Sequence, residues 1–213
     1  MEIEEGLLDA HDDAALNTHR SPGEVIEIEG SLLDAPDGAA LIHACNSRGV
    51  WGKGVAKELK ARYPTAFEVY RSHCHWFTHR TRERVVEIDG EFRSIRAPEG
   101  TCLIIPPQKA DYEANEANEA TDVRHWIICL FTSRGYGRLV SPSDVVMENT
   151  EIAVADMRRQ LDKIALDDTI DDWITELWAC RFNSGLFGVP WSETKKILES
   201  SGLSITVATP AAE

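Results

Sequence analysis

Nothing in this sequence approaches the ~18 consecutive apolar residues of a membrane-spanning helix, so no membrane partner is expected. A basic and then apolar leader is also missing, because the start Met1-Glu2-Ile3-Glu4-Glu5 is acidic. With no export signal, the expected location is the cytoplasm, with the nucleus as the alternative. No C-x-x-C pair occurs: the five cysteines, Cys45, Cys74, Cys102, Cys129 and Cys180, are odd in number and scattered. That pattern suits reduced, mostly buried thiols rather than a disulfide framework or a redox site. Positive charge is scarce, with 22 Lys and Arg against 36 Asp and Glu and a formal net charge of −14. Such a balance repels nucleic acid and anionic membranes at long range, so no nucleic acid partner is expected either.

What is present suits one α/β domain. The 213 residues are 43% hydrophobic and 27% charged, near globular averages and long enough to bury a sizeable core. Residues 1–23, rich in Asp, Glu, Ala and His and closed by Pro22-Gly23, read as a flexible acidic tail. The domain is expected over 24–209, with a short tail at 210–213. Alternation and apolar runs predict strands over 25–29, 40–45, 101–105, 126–131, 177–181 and 204–208, with a turn at 34–38. Helical spacing predicts helices over 55–63, ended by Pro64, and over about 145–164 and 192–198. Strands alternating with helices imply a mixed, mostly parallel sheet between helices. Surface insertions are expected at about 80–99, where Asp89-Gly90 signals a hairpin, and at 109–124, where Glu-Ala-Asn repeats.

Two loops carry the chemistry. His43-Ala44-Cys45-Asn46 ends a buried strand, and Ser47-Arg48-Gly49-Val50-Trp51-Gly52-Lys53-Gly54 leads into the helix that begins near Val55-Ala56. Glycines let backbone N–H groups approach a phosphate, and the helix N-terminus adds about half a positive charge. Around it, Arg48, Lys53, Lys57, Lys60 and Arg62 stand against Glu58 alone. Alone, this loop matches neither G-x-G-x-x-G nor the nucleoside triphosphate loop. The second loop, Phe182-Asn183-Ser184-Gly185-Leu186-Phe187-Gly188-Val189-Pro190-Trp191, also joins a buried strand to a helix, and a pair of such loops can clamp a diphosphate.

On these segments the chain resembles the macro domain family, in its fungal ADP-ribose 1″-phosphate phosphatase branch, a relative of the terminal ADP-ribose protein glycohydrolases. HACNSRGVWGKGVAKELKARYP, GTCLIIPP, IICLFTSRGYG and NSGLFGVPW followed by ETKKILE carry the resemblance. It implies hydrolysis of ADP-ribose 1″-phosphate, a by-product of tRNA splicing, by a monomer without cofactor or metal. It further implies that Asn46 hydrogen-bonds the distal ribose, that Trp51–Ala56 and Asn183–Gly188 wrap the diphosphate and distal ribose, and that Gly30-Ser31-Leu32 lies by the adenine. Ser31 stands where many macro domains have Asp, and Lys53 interrupts a run of small residues. Leu186-Phe187-Gly188 contains no acid, unlike the glycohydrolase loop. The alternatives are hydrolysis of ADP-ribose esters on proteins and ADP-ribose binding without catalysis.

Individual residues have competing readings. His43 is a candidate acid–base catalyst, yet strand alternation puts it on the face opposite Asn46, where it would be a core histidine. Asn46 is either a ligand contact or a turn former. His73-Cys74-His75 with His79 offers metal-ligand types without a matching fourth ligand, so a partly exposed helix end is the default. Trp173, Trp178 and Trp191 suit packing better than base stacking, whereas Phe187 is placed to cover the distal ribose. The acidic run over 167–172 lacks the pattern of a calcium loop.

Overall fold

The computed structural model describes residues 23–78, 83–88, 91–96, 98–113, 123–167, 169 and 173–211. The readings of residues 1–22, His79, the Asp89-Gly90 turn, 114–122, most of the 168–172 acidic run and 212–213 fall outside them.

A six-stranded sheet runs in the order β1-β8-β7-β2-β6-β5. Its strands are β1 (Glu24–Glu29), β2 (Ala40–Asn46), β5 (Cys102–Ile105), β6 (Trp126–Ser133), β7 (Leu177–Cys180) and β8 (Ser204–Thr209). All neighbours pair in parallel except β5, which runs antiparallel to β6 at the edge. The central strands are apolar because both faces are covered; every residue of β6 is buried. One face, with Leu41, Cys45, Ile127 and Phe131, packs against α1 (Gly54–Arg62) and α2 (Pro64–Thr78) through Leu59, Phe67 and Tyr70. The other, with Ala40, Ile42, Ile128 and Leu130, meets α4 (Ser143–Ala165) and α5 (Trp191–Ser200) through Ala153, Met157 and Leu198. Val146, Ala153 and Met157 recur on one side of α4 at helical spacing, and each buried Leu, Ile, Val or Met stabilises by about 1.5–3 kcal/mol.

Of helix α2 the sequence indicates only an end near His73-Cys74-His75; its start is missed, because Pro64 reads as the end of the preceding helix. Proline needs no N–H at a first helical position, so here it starts one. The N-terminus is capped from afar: the Asp111 carboxylate accepts from the backbone N–H groups of Thr65 at 2.8 Å and Ala66 at 3.0 Å. Asp111 lies on α3 (Lys109–Tyr112) and is buried, so the start of the expected 109–124 insertion is packed against the body. The two arms of the expected hairpin are present as β3 (Glu83–Ile88) paired antiparallel with β4 (Glu91–Arg96), in a sheet of its own.

At the amino-terminal ends of β2 and β6, the His125 Nε2–H donates to the Ala35 carbonyl at 2.9 Å, and Nδ1 accepts from the Tyr63 hydroxyl at 2.5 Å. Burial holds the His125 imidazole below its ordinary pKa, outweighing its hydrogen bonds to Ala35 and Pro36, and burial does the same for His73. A base whose folded pKa is depressed takes up protons first in the unfolded chain, so stability is present above the unfolded pKa and falls as pH drops below about 6.5. Thermal unfolding is therefore expected to show a falling Tm from pH 7 to pH 5, and His125→Gln should flatten part of that slope.

Candidate ligand site at the carboxyl edge of the sheet

Because β1, β8, β7, β2 and β6 are parallel, the loops leaving β1, β7, β2 and β6 all emerge at one edge. Open α/β sheets bind ligands at this edge. The recess formed by Tyr63, Ala66, Asp111, Arg124 and His125 lies at the opposite edge.

The β2 loop is organised by Asn46, which is 6% exposed. Its Nδ2 donates to the Val50 carbonyl at 2.6 Å, its Oδ1 accepts from the Arg48 N–H at 2.9 Å, and its own carbonyl accepts from the Tyr70 hydroxyl at 2.6 Å. The turn-forming role is thus present, and each side-chain atom keeps one further hydrogen-bonding position. Trp51 is a core residue, stacked on Tyr70 at 5.0 Å between ring centroids; only its backbone is placed to serve the loop. Gly52, Lys53 and Gly54 are exposed, and Val55 and Ala56 half-buried. Helix α1 starts at Gly54 with no side-chain cap and no acid in its first turn. Its first N–H groups are therefore open to an anion. At Gly54 a side chain would meet nothing within 4 Å, and φ is +56°, so glycine is needed for the conformation and leaves the backbone accessible.

The β7 loop is pinned by Asn183, which is 4% exposed with φ at +64°. Asparagine is among the few residues that adopt this left-handed conformation readily. Its Oδ1 accepts from Thr132 Oγ1 at 2.9 Å, and its Nδ2 donates to Thr150 Oγ1 at 2.9 Å and Thr194 Oγ1 at 3.4 Å. One amide thereby ties the loop to β6, α4 and α5. The Val189 N–H donates to the Asn183 carbonyl and the Gly188 N–H to that of Gly185, closing a compact arch. Phe182 is buried in the core, Phe187 half-buried, and Ser184, Gly185, Leu186 and Gly188 are exposed. Since β7 and β2 are neighbours, this arch stands beside the open start of α1.

After β1, Ser31 caps a short 3-10 turn by accepting from the Leu33 N–H, while Asp34 accepts from the Ser31 N–H. Gly30 is held by a bond from its N–H to Thr209, and Leu32 is core. Only the half-buried Gly30 and Ser31 are exposed enough to meet a base from this segment.

A third loop, 134–140 after β6, is not among the site residues read from the sequence, although Arg134-Gly135-Tyr136-Gly137 at its start is a visible signal. The Ser47 N–H donates to the Ser133 carbonyl at 3.1 Å, joining this loop to that of β2. Ser133 Oγ accepts from Gly135 and Ser141 N–H groups and knots the loop. Arg134, Tyr136, Arg138 and Leu139 are exposed.

His43 lies elsewhere. It is fully buried, edge-on to Trp51 at 4.8 Å between centroids, on the sheet face shared with Leu41 and Cys45. His43, Cys45 and Cys129 bring their donor atoms within 4.8 Å of one another. Cys45 Sγ is nearly equidistant from the two ring nitrogens, at 3.4 and 3.7 Å. Ala44 is half-buried on the opposite face. His73 stacks on Phe131, Cys74 is buried and His75 exposed near the end of α2, as the helix-end reading has it. Burial pushes the Cys74 and Cys180 thiols up to about 12, leaving them unreactive. Trp178 and Trp191 donate their indole N–H groups to Glu176 and Glu27, and Trp173 is exposed.

No family model matches the chain. It is 53% identical over 195 residues to an ADP-ribose 1″-phosphate phosphatase of Aspergillus fumigatus, covering 88% of this chain and 94% of the relative. The phosphatase of the same name from Neosartorya fischeri is 54% identical over the same shares. Among solved structures, the macrodomain of Mycobacterium tuberculosis DarG superposes with a TM-score of 0.59 at 18% identity, covering 89% of this chain and 99% of that one. Thermosipho africanus DarTG in complex with ADP-ribose gives 0.60 at 16% identity, over 89% of this chain and 42% of that one. The structural likeness establishes the macrodomain fold, the sequence likeness establishes the branch, and the chain belongs to the fungal ADP-ribose 1″-phosphate phosphatase family.

Proposed function

We propose that the chain hydrolyses ADP-ribose 1″-phosphate to ADP-ribose and inorganic phosphate. The observation that carries this reading is the pairing of an uncapped α1 N-terminus with the Asn183–Gly188 arch on neighbouring parallel strands, in a relative of the phosphatases over most of its length. In this reading the amides of 52–56 and 184–188 hold the diphosphate, Asn46 holds the distal ribose, Phe187 covers it, and Gly30-Ser31-Leu32 lies by the adenine. The reaction adds water across the phosphate ester. Fixed N–H donors lower its barrier by meeting charge that grows in the transition state, without reorganising.

A second reading, binding without turnover, is favoured by one feature: neither 47–53 nor 183–189 contains Asp, Glu, His or Cys. Incubation of the purified chain with ADP-ribose 1″-phosphate separates the two. Release of phosphate with ADP-ribose as co-product is expected, while tight calorimetric binding of ADP-ribose with no release would establish the second reading. Asn46 contributes binding that ground and transition states share, so Asn46→Ala is expected to raise KM and the ADP-ribose Kd by about tenfold with kcat within a few-fold. Steady-state kinetics beside calorimetry checks this.

A further inference from the structure

The arginines whose side chains are described divide unevenly. Arg71, Arg124, Arg158, Arg159 and Arg181 each pair with a carboxylate, and Arg62 donates to the Asp111 carbonyl. Arg48, Arg134 and Arg138 have no such partner among the described residues, in a chain with 36 acids against 22 Lys and Arg. All three are exposed, and all three sit on the β2 and β6 loops.

Those loops start side by side. The β2–β6 register slips at Cys45/Asn46 so that Asn46 lies opposite Ser133, and the bond from Ser47 to Ser133 ties the two exits. At that junction the Ser47 hydroxyl is shielded from solvent and has no hydrogen-bond partner, which is costly unless something supplies one. Both loops are held firmly. The Arg48 N–H is fixed by Asn46, the Arg134 N–H donates to Ser141 Oγ at 3.0 Å, and Gly135 is packed so closely that a side chain there would come within 2.7 Å of Leu139. Leaving cations unpaired on rigid loops, while acids are abundant elsewhere, keeps them available to an anion from solution.

We propose that Arg48, Arg134 and Arg138, with the Ser47 hydroxyl between the loops, form a subsite for a phosphate monoester: the terminal phosphate that distinguishes ADP-ribose 1″-phosphate from ADP-ribose. This rests on the functional reading above and names the residues that select the phosphorylated ligand. The diphosphate stays with the β2 and β7 loop amides, so the two anionic groups of the ligand have separate holders. A guanidinium offers a phosphate two parallel donors, and removing one such contact costs roughly ten- to a hundredfold in affinity.

The test titrates inorganic phosphate into protein saturated with ADP-ribose, followed by phosphorus NMR, so that it needs no turnover. The wild-type complex is expected to bind phosphate. Arg48→Ala, Arg134→Ala and Arg138→Ala should each weaken that binding about tenfold or more and raise KM for ADP-ribose 1″-phosphate in proportion, with the ADP-ribose Kd within twofold. Lys196→Ala, which removes an exposed cation of α5, should leave both unchanged. Absence of phosphate binding to the wild-type complex, unchanged phosphate affinity in all three variants, or an equal loss of ADP-ribose affinity would each overturn the subsite. Phosphate binding that depends on the arginines, in a protein that releases no phosphate from the substrate, would uphold the subsite and refute the phosphatase reading.

Discussion

Asn183→Ala is expected to lower Tm by roughly 8–14 °C and to weaken ADP-ribose binding by more than tenfold. The substitution removes one acceptor and two donors at a buried point where Thr132, Thr150 and Thr194 converge. Each such bond is worth about 0.5–1.5 kcal/mol, and a left-handed conformation costs most other residues roughly 1–2 kcal/mol. The sum is about 2.5–6.5 kcal/mol, and its centre of about 4 kcal/mol corresponds to that shift at ~2–4 °C per kcal/mol for a domain of this size. Binding falls with stability because the same amide fixes where the 184–188 amides point. Thermal unfolding and calorimetry on one preparation check both effects. A Tm within 2 °C of wild type would mean that the three threonines repack without their common partner.

His43→Ala separates a catalytic from a packing histidine. A general acid or base contributes about 10²–10⁴-fold to kcat, but such a group must reach the reacting atoms, and His43 is fully buried, edge-on to Trp51 and beside the Cys45 and Cys129 thiols. The expected result is a stability loss of about 2–4 kcal/mol, as for other large-to-small core changes, with kcat within threefold of wild type and an unaltered pH–rate profile. Loss of kcat by a hundredfold or more with unchanged Tm would return His43 to the chemistry.

The layered α/β arrangement was legible because its central strands are apolar runs and its long helices are periodic. The expected helix over 145–164 is Ser143–Ala165, and the expected strand over 126–131 is Trp126–Ser133. The start of helix α2 was not legible, because it depends on Asp111, whose role as a cap exists only after the chain has folded back. The two glycine loops were legible as strand-to-helix turns, but side-chain direction within them was not. Trp51 reads as a loop residue in sequence, yet turns inward onto Tyr70, and Asn183 reads as a ligand contact while its amide is fully engaged in the core. Strand alternation correctly raised the possibility that His43 is internal. The β6 loop was passed over because nothing local indicates that Ser133 lies against Ser47; that adjacency follows from the parallel pairing of β2 with β6.

The ligand is expected to lie against the two glycine loops. Amide-resolved NMR during titration with ADP-ribose tests this directly. Shifts and exchange protection are expected at Gly52, Lys53, Gly54, Val55 and Ala56 and at Ser184, Gly185, Leu186, Phe187 and Gly188, with Tyr63, Asp111 and His125 unmoved. Changes confined to Tyr63, Asp111 and His125, with both glycine loops silent, would contradict it.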